Sequence, residues 1–82
     1  MSVRSVVIHG EVYLTLDAAA DCFAVELGWV EEVHALGLLG PSERVGSAIA
    51  VSARQLDRLA EVVRLHRYLG LELASLEVLL GD

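Results

Sequence analysis

The sequence predicts a mainly α domain of about four helices, with a winged helix-turn-helix and a short N-terminal strand or β wing beside it. Three observations lead to this prediction. Two segments with apolar residues at helical spacing are joined by a very short link, which is typical of a helix-turn-helix. Ser52 and Gln55 have the spacing of a capping box and predict the start of a third helix. The apolar segment LELASLEVLLG predicts a fourth.

The chain of 82 residues is predicted to form one domain, 1–82, near the size at which a single core supplies only modest stability. It divides into a strand region, a helix-turn-helix, a wing, and a third and fourth helix. These parts cover residues 1–14, 15–37, 38–51 and 52–80.

The first two parts contain the signals for the helix-turn-helix. β-forming residues on both sides of the pair His9-Gly10 predict a short strand or a loose hairpin. Thr15 is expected to cap a first helix that runs from about Leu16 to Phe23. After a tight turn, a second helix is expected from Glu26 to Leu36, followed by a stop at Gly37.

The later parts are a connector and two helices. The alternation of Ile49 and Val51 among glycines predicts a small hairpin or wing in 38–51, outside the core. The third helix is expected to end at Leu69, before Gly70. Its apolar arc spans roughly 220°, against the ~100° or more of an ordinary surface helix, so we expect it to be covered on two sides.

Charge is the most informative property of the composition. Twelve acidic residues stand against six arginines, there is no lysine, and the formal net charge is −6. Between Arg4 and Arg44 there is no arginine or lysine, and the acidic residues in that stretch are Glu11, Asp17, Asp21, Glu26, Glu31, Glu32 and Glu43. The first half of the chain is therefore expected to present an acidic surface.

No arrangement typical of an enzyme is visible. His9, His34 and His66 fall in different predicted elements without metal-ligand spacing, and His66 is interpreted as a histidine at the edge of the core. The single cysteine, Cys22, is expected to be a small buried hydrophobe. The glutamate pair Glu31-Glu32 is interpreted as a solvated face. We therefore predict no catalytic activity, no metal and no cofactor.

The chain is expected to be cytoplasmic. Charged residues interrupt every apolar run well before the ~18 residues that a membrane span needs, and no export signal is visible. The high aliphatic content predicts an exposed apolar patch, which indicates association with a partner protein or a homodimer.

Two segments resemble the MerR-type pattern. In LTLDAAADCFAVELGWVEEVHALGLL a threonine opens the first helix, a valine follows the turn and GLL closes the second helix. VSARQLDRLAEVVRLHRYLGLELASLEVLL is similar to the third and fourth helices of that superfamily, and the likeness covers about Tyr13 to Leu80. Two features depart from it. Ala24 stands where a turn glycine is usual, and the second helix lacks the arginines that such regulators present to DNA.

A small module of this kind, with an acidic first half and the ending RLHRYLGLELASLEVLL, resembles the chaperone-modulatory protein CbpM family. The resemblance implies a module that binds the J-domain of a DnaJ-type co-chaperone, alone or in complex with DnaK, and restrains its action on DnaK. The resemblance also implies that the J-domain presents a basic helix face to DnaK, and an acidic surface suits a basic partner. We expect neither a membrane nor nucleic acid as a partner.

Trp29 is the sharpest candidate for an interface anchor, with the neighbouring Glu31 and Glu32 as a charged rim. Alternatively, Trp29 packs against the wing or the third helix. On the third helix, Asp57 and Glu61 rank second, although Glu61 and Arg64 are spaced to pair with each other. The candidate partner-binding residues are Glu26, Trp29, Glu31, Glu32, Asp57 and Glu61.

An alternative function is a small MerR-like or excisionase-like DNA-binding transcription regulator. Its only plausible phosphate contacts are Arg54, Arg58 and Arg67, which alternate with acidic residues. The second helix would bring glutamates to the phosphates, where DNA affinity needs positive charge. A self-assembling module is a third possibility.

Overall fold

A computed structural model describes residues 4–80 of the chain. Strands and helices alternate in pairs along this part of the chain. In chain order the elements are β1 (Ser5–Ile8), β2 (Glu11–Thr15), α1 (Leu16–Phe23), α2 (Leu27–Ala35), β3 (Glu43–Val45), β4 (Ala48–Ser52), α3 (Ala53–Leu69) and α4 (Leu73–Leu80). Residues 1–3 of the predicted strand region lie outside the described part.

The strands β1 and β2 form a tight hairpin around His9 and Gly10. Ile8 pairs with Glu11 at its end, so only two residues make the turn. Both have a positive φ, 52° for His9 and 80° for Gly10. Positive φ at both central residues is the pattern of a type I′ turn, whose twist matches that of the strands it joins.

All four strands belong to one antiparallel sheet in the order β1-β2-β4-β3. The central pairing joins β2 to β4, with Leu14 opposite Val51. The sheet curls into a half-barrel. The two hairpins, which are far apart in the sequence, therefore make one continuous layer.

The predicted fold class, a mainly α MerR-like winged helix-turn-helix, is wrong, because the chain forms a small α/β fold around this sheet. The error lies in segment 38–51, which was expected to be a connector outside the core. Ala50 and Val51 in β4 have no exposed surface. Local alternation of apolar residues shows that a strand forms, but it does not show which distant strand will pair with it.

The helices themselves agree closely with their sequence signals. α1 and α3 have the predicted limits, and α2 is one residue shorter at each end, with Glu26 and Leu36 as its caps. Gly70 ends α3 in the left-handed conformation, with φ of 66°. The predicted fourth helix is present as α4.

Two predicted caps have different outcomes. The capping box of α3 is confirmed, and the backbone N–H of Ser52 donates to Oε1 of Gln55 at 2.6 Å. Thr15 is the N-cap residue of α1, but it makes no side-chain cap bond to the backbone. Its hydroxyl donates instead to the carboxylate of Asp17. The threonine therefore fixes an acidic side chain at the start of α1.

The core lies between the sheet and the helices. α3 is covered by β4 and α1 on one side and by α4 on another, as its wide apolar arc predicted. The largest fully buried side chains are Leu59, Leu76, Val30, Val33, Val51, Val62 and Thr15. None of the helices described has the length and apolar character needed to cross a membrane.

Two arginines of α3 tie other elements to this helix. Nε of Arg58 donates to the carbonyl of Leu38 and Nη2 to that of Leu80, both at 3.0 Å. Nη2 of Arg67 donates to the carbonyls of Phe23 at 2.8 Å and Ala24 at 3.0 Å. The carbonyls of Phe23, Ala24 and Leu80 lie at helix ends, where no further helical N–H is available to satisfy them, and Leu38 is in the turn that follows α2. Both arginines therefore act as internal caps.

The turn between α1 and α2 passes through Ala24, which has a φ of 54°. Its N–H returns to the carbonyls of Ala20 and Asp21, as at a left-handed helix end. For an alanine this conformation is strained by roughly 1–2 kcal/mol. A glycine at this position would remove the strain.

We predict that Ala24→Gly stabilises the protein by about 0.5–1 kcal/mol, because the relief of the left-handed strain exceeds the extra flexibility of glycine in the unfolded chain. Urea denaturation followed by circular dichroism measures the change. Ala60→Gly, within α3, is the matched control and should destabilise by about 1 kcal/mol. A loss of stability in Ala24→Gly would contradict the assigned turn.

Candidate protein-binding surface

The outer side of α2 and its N-cap carry the candidate surface. Val30 and Val33 are 0% exposed and turn one side of this helix into the core. Glu26, Leu27, Glu31 and Glu32 are exposed, and we call these four residues the acidic face of α2. Leu27, 41% exposed, lies one helical turn before Glu31. No arginine among residues 4–80 forms an ion pair with these three glutamates.

Other acidic residues of the first half are partly neutralised. Nε of Arg4 lies 3.9 Å from Oδ2 of Asp17, and its Nη2 donates to the carboxylate of Asp21. The same guanidinium reaches the Asp17 carbonyl at 3.4 Å. Arg4 therefore joins the start of the first strand to α1, and no such ion pair offsets the glutamates of the acidic face of α2 in the described part of the chain.

The pKa of Asp17 is lowered, chiefly by the hydrogen bond from the Thr15 hydroxyl. Partial burial opposes this shift, while the backbone N–H of Ala18 and the positive charge of Arg4 add to it. All the favourable contacts stabilise the ionised carboxylate. Asp17 is therefore a fixed negative charge at the start of α1.

Trp29 packs inward instead of standing out from the acidic face. Its side chain is partly buried against the core, and its ring centroid lies 5.1 Å from that of His66, with the rings tilted by 37°. Nδ1 of His66 donates to the carbonyl of Leu71 at 2.7 Å, which fixes the imidazole. Of the two expectations for Trp29, packing against the third helix is the one observed. His66 is at the edge of the core, as predicted.

The structure does not bring Asp57 and Glu61 to the acidic face of α2. His66 turns toward α2, and Asp57 is nine positions earlier on α3, which places it about 180° away around the helix. Glu61 lies 3.8 Å from Nη1 of Arg58, not in a pair with Arg64 as expected. The predicted site residues therefore divide between two surfaces, with Glu26, Glu31 and Glu32 together on one of them.

Two of the three arginines proposed as phosphate contacts have other partners. Arg58 and Arg67 donate to backbone carbonyls within the protein. Arg54 is exposed and lines an open cleft of about 620 Å³ together with Glu11 and Glu43. Acidic and basic groups meet in this cleft, so it is not a basic surface of the kind that binds phosphates.

The remaining reactive side chains are dispersed. Among residues 4–80, no three His, Cys, Asp or Glu side chains come close enough to hold a metal ion together. Nε2 of His34 lies 2.8 Å from Oγ of Ser42, and no carboxylate in the described chain hydrogen-bonds this imidazole. Cys22 is exposed, contrary to the expected burial.

Sequence reasoning missed two residues that shape the candidate surface. Leu27 was not singled out, although its i, i+4 relation to Glu31 places both on one side of α2. Arg4 was counted only as a boundary of the acidic stretch, and no local pattern indicates that it reaches Asp21.

Comparisons with models of known protein families, with curated protein sequences and with solved structures find no match for this chain.

We predict that Trp29→Ala destabilises the protein by about 2–4 kcal/mol, because the indole packs against the core and against His66. Urea denaturation followed by far-ultraviolet circular dichroism is the appropriate measurement, since the chain has one tryptophan. Leu27→Ala is the control on the exposed side of α2 and should cost less than about 1 kcal/mol. Equal losses for the two variants would contradict the inward packing.

A second prediction concerns Asp17. Because its pKa is lower in the folded than in the unfolded chain, its ionisation stabilises the fold above about pH 4, and this contribution is lost as the pH falls through the folded-state pKa. Thr15→Val should raise the pKa of Asp17, while Thr15→Ser should keep it low. Carbon-detected NMR titration of the Asp17 carboxyl measures both. An unchanged pKa in Thr15→Val would show that the hydroxyl is not the main cause.

Proposed function

We propose that this chain is a non-enzymatic protein-binding module that binds the J-domain of a DnaJ-type co-chaperone and modulates its action on DnaK. The acidic face of α2 carries the proposal. Three exposed glutamates without described ion pairs flank an exposed leucine there. Such a combination fits a partner surface that is basic and partly apolar.

Charge supports the choice of a basic partner. The net charge of −6 gives the whole chain a negative field, and the glutamates of α2 concentrate part of it on one helix. Opposite charge accelerates the encounter of two proteins by about 10- to 1,000-fold at low ionic strength. A binding rate that depends steeply on salt is therefore expected.

The likeness to the chaperone-modulatory protein CbpM family supplies the identity of the partner. A J-domain, as that resemblance implies, presents a basic helical surface to DnaK. An acidic module on the same surface would exclude DnaK by occupying its binding site. Competition of this kind requires no catalytic group and no conformational signal.

The contacts of Arg58 and Arg67 favour a protein partner over DNA. Their guanidinium groups donate to backbone carbonyls of the same chain. Contact with phosphates would compete with these hydrogen bonds. The negative surface of α2 would also repel a nucleic acid backbone.

We predict that Glu31→Lys combined with Glu32→Lys lowers the association rate with a purified J-domain by about tenfold or more at low ionic strength, because it reverses the charge that attracts the basic partner. Stopped-flow fluorescence or surface plasmon resonance measures the rate. Circular dichroism should show an intact fold, since both residues are exposed.

Glu11→Lys combined with Glu43→Lys is the matched control. It changes the net charge by the same amount on exposed residues of β2 and β3. A smaller loss of rate is expected for this pair, and equal losses would show that only total charge matters. The absence of J-domain binding by the unaltered chain would contradict the proposed function. A gel shift with duplex DNA at low salt would favour the transcription-regulator alternative instead.

A further inference from the structure

A partly apolar cleft of about 270 Å³ opens beside the acidic face of α2. The start of α1, the side of α2 and the start of β4 form its walls. Its apolar surface comes from Leu16, Leu27, Ala48 and Ile49, and Glu31 and Asp17 are at its sides. We call this feature the α2 cleft.

The cleft is held by regular structure instead of by long loops. Leu27 and Glu31 are on adjacent turns of α2, so their side chains lie next to each other. Ile49 is partly buried and packs against the core, which fixes one wall. Ala48 begins β4 and has too short a side chain to fill the space.

The charge at the cleft is negative. Glu31 is exposed, and its carboxylate accepts no ion pair from the arginines of residues 4–80. Asp17 receives the Thr15 hydroxyl on one oxygen and lies 3.9 Å from Arg4 on the other. Arg4 extends from there to Asp21 and does not line the cleft.

We propose that the α2 cleft binds one basic side chain of the partner, an arginine whose methylene stem lies along Leu27 and Ile49 and whose guanidinium reaches Glu31. The proposal rests on the proposed function for the identity of the partner, but the chemistry of the cleft stands by itself. It turns a general acidic face into a defined anchor point.

Arginine suits both surfaces of the cleft. Its stem buries apolar area while its charged end stays near water and a carboxylate. A guanidinium also makes paired hydrogen bonds with a carboxylate, which an ammonium group cannot match in geometry. Arginine is enriched among the residues that dominate binding energy at protein interfaces. An acidic side chain would be repelled, and an aliphatic one would leave Glu31 without a partner.

The test uses the full chain labelled with ¹⁵N and a blocked Leu-Arg-Leu tripeptide as the probe. The amide signals of Leu27, Glu31 and Ala48 should shift together and saturate at millimolar peptide. A tripeptide with citrulline in place of arginine has nearly the same shape without the charge. It should bind at least about fivefold more weakly.

Glu31→Gln and Glu32→Gln are a matched pair of variants. Each removes one negative charge from an exposed position of α2, but only Glu31 lines the cleft. Glu31→Gln should weaken the arginine peptide about fivefold, and Glu32→Gln less than twofold. Ala48→Phe should block binding by filling the cleft without changing charge. Equal affinities of the arginine peptide for both glutamine variants would overturn the proposal. Amide signals that shift only at residues away from the α2 cleft would overturn it as well.

A titration of the same labelled chain with a purified J-domain separates this inference from the proposed function. Peptide binding at the cleft without J-domain binding would support the inference and contradict the function. J-domain binding with unchanged signals at Leu27, Glu31 and Ala48 would support the function and overturn the inference. Shifts at the cleft in both titrations would support both.

Discussion

The pairing of β2 with β4 is the constraint on which the rest of the structure depends. A two-stranded hairpin alone is marginally stable in water. Through this pairing, each hairpin of this chain becomes part of a four-stranded sheet. It places Val51 opposite Leu14 and removes Val51 from solvent. Because α1 and α2 lie between the two strands in the chain, they are enclosed in the loop that the pairing closes. α3 begins directly after β4, so its position follows as well.

Hydrogen bonds and ion pairs within the chain determine which charged side chains have partners. Arg58 and Arg67 satisfy carbonyls, and Arg4 binds the carboxylates of α1. Half of the arginines thereby hold elements together, and they keep their positive charge. Glu31 and Glu32 have no such partners. The negative charges of Glu31 and Glu32 are therefore not offset by an ion pair in the described part of the chain.

Local signals predicted the helices well, because a helix is specified by residues that are near one another in the chain. The Ser52–Gln55 box and the glycine at position 70 marked both ends of α3 correctly. The sheet could not be predicted in the same way, since the pairing of Leu14 with Val51 joins distant segments. For the candidate site, too, local features were predicted and contacts between distant segments were not. Exposure of Glu31 followed from helical periodicity, while the direction of Trp29 depended on where α3 lies.

The sequence by itself determined the excess of acidic charge, the limits of the helices and the positions of the turns. These depend on residue type and short spacing, which do not change with the path of the chain. The tertiary structure decided that the hairpins join into one curled sheet and that Trp29 packs against His66. It also decided that Leu27, Glu31 and Ile49 meet at one cleft. Such contacts depend on packing between distant segments, which local spacing does not encode.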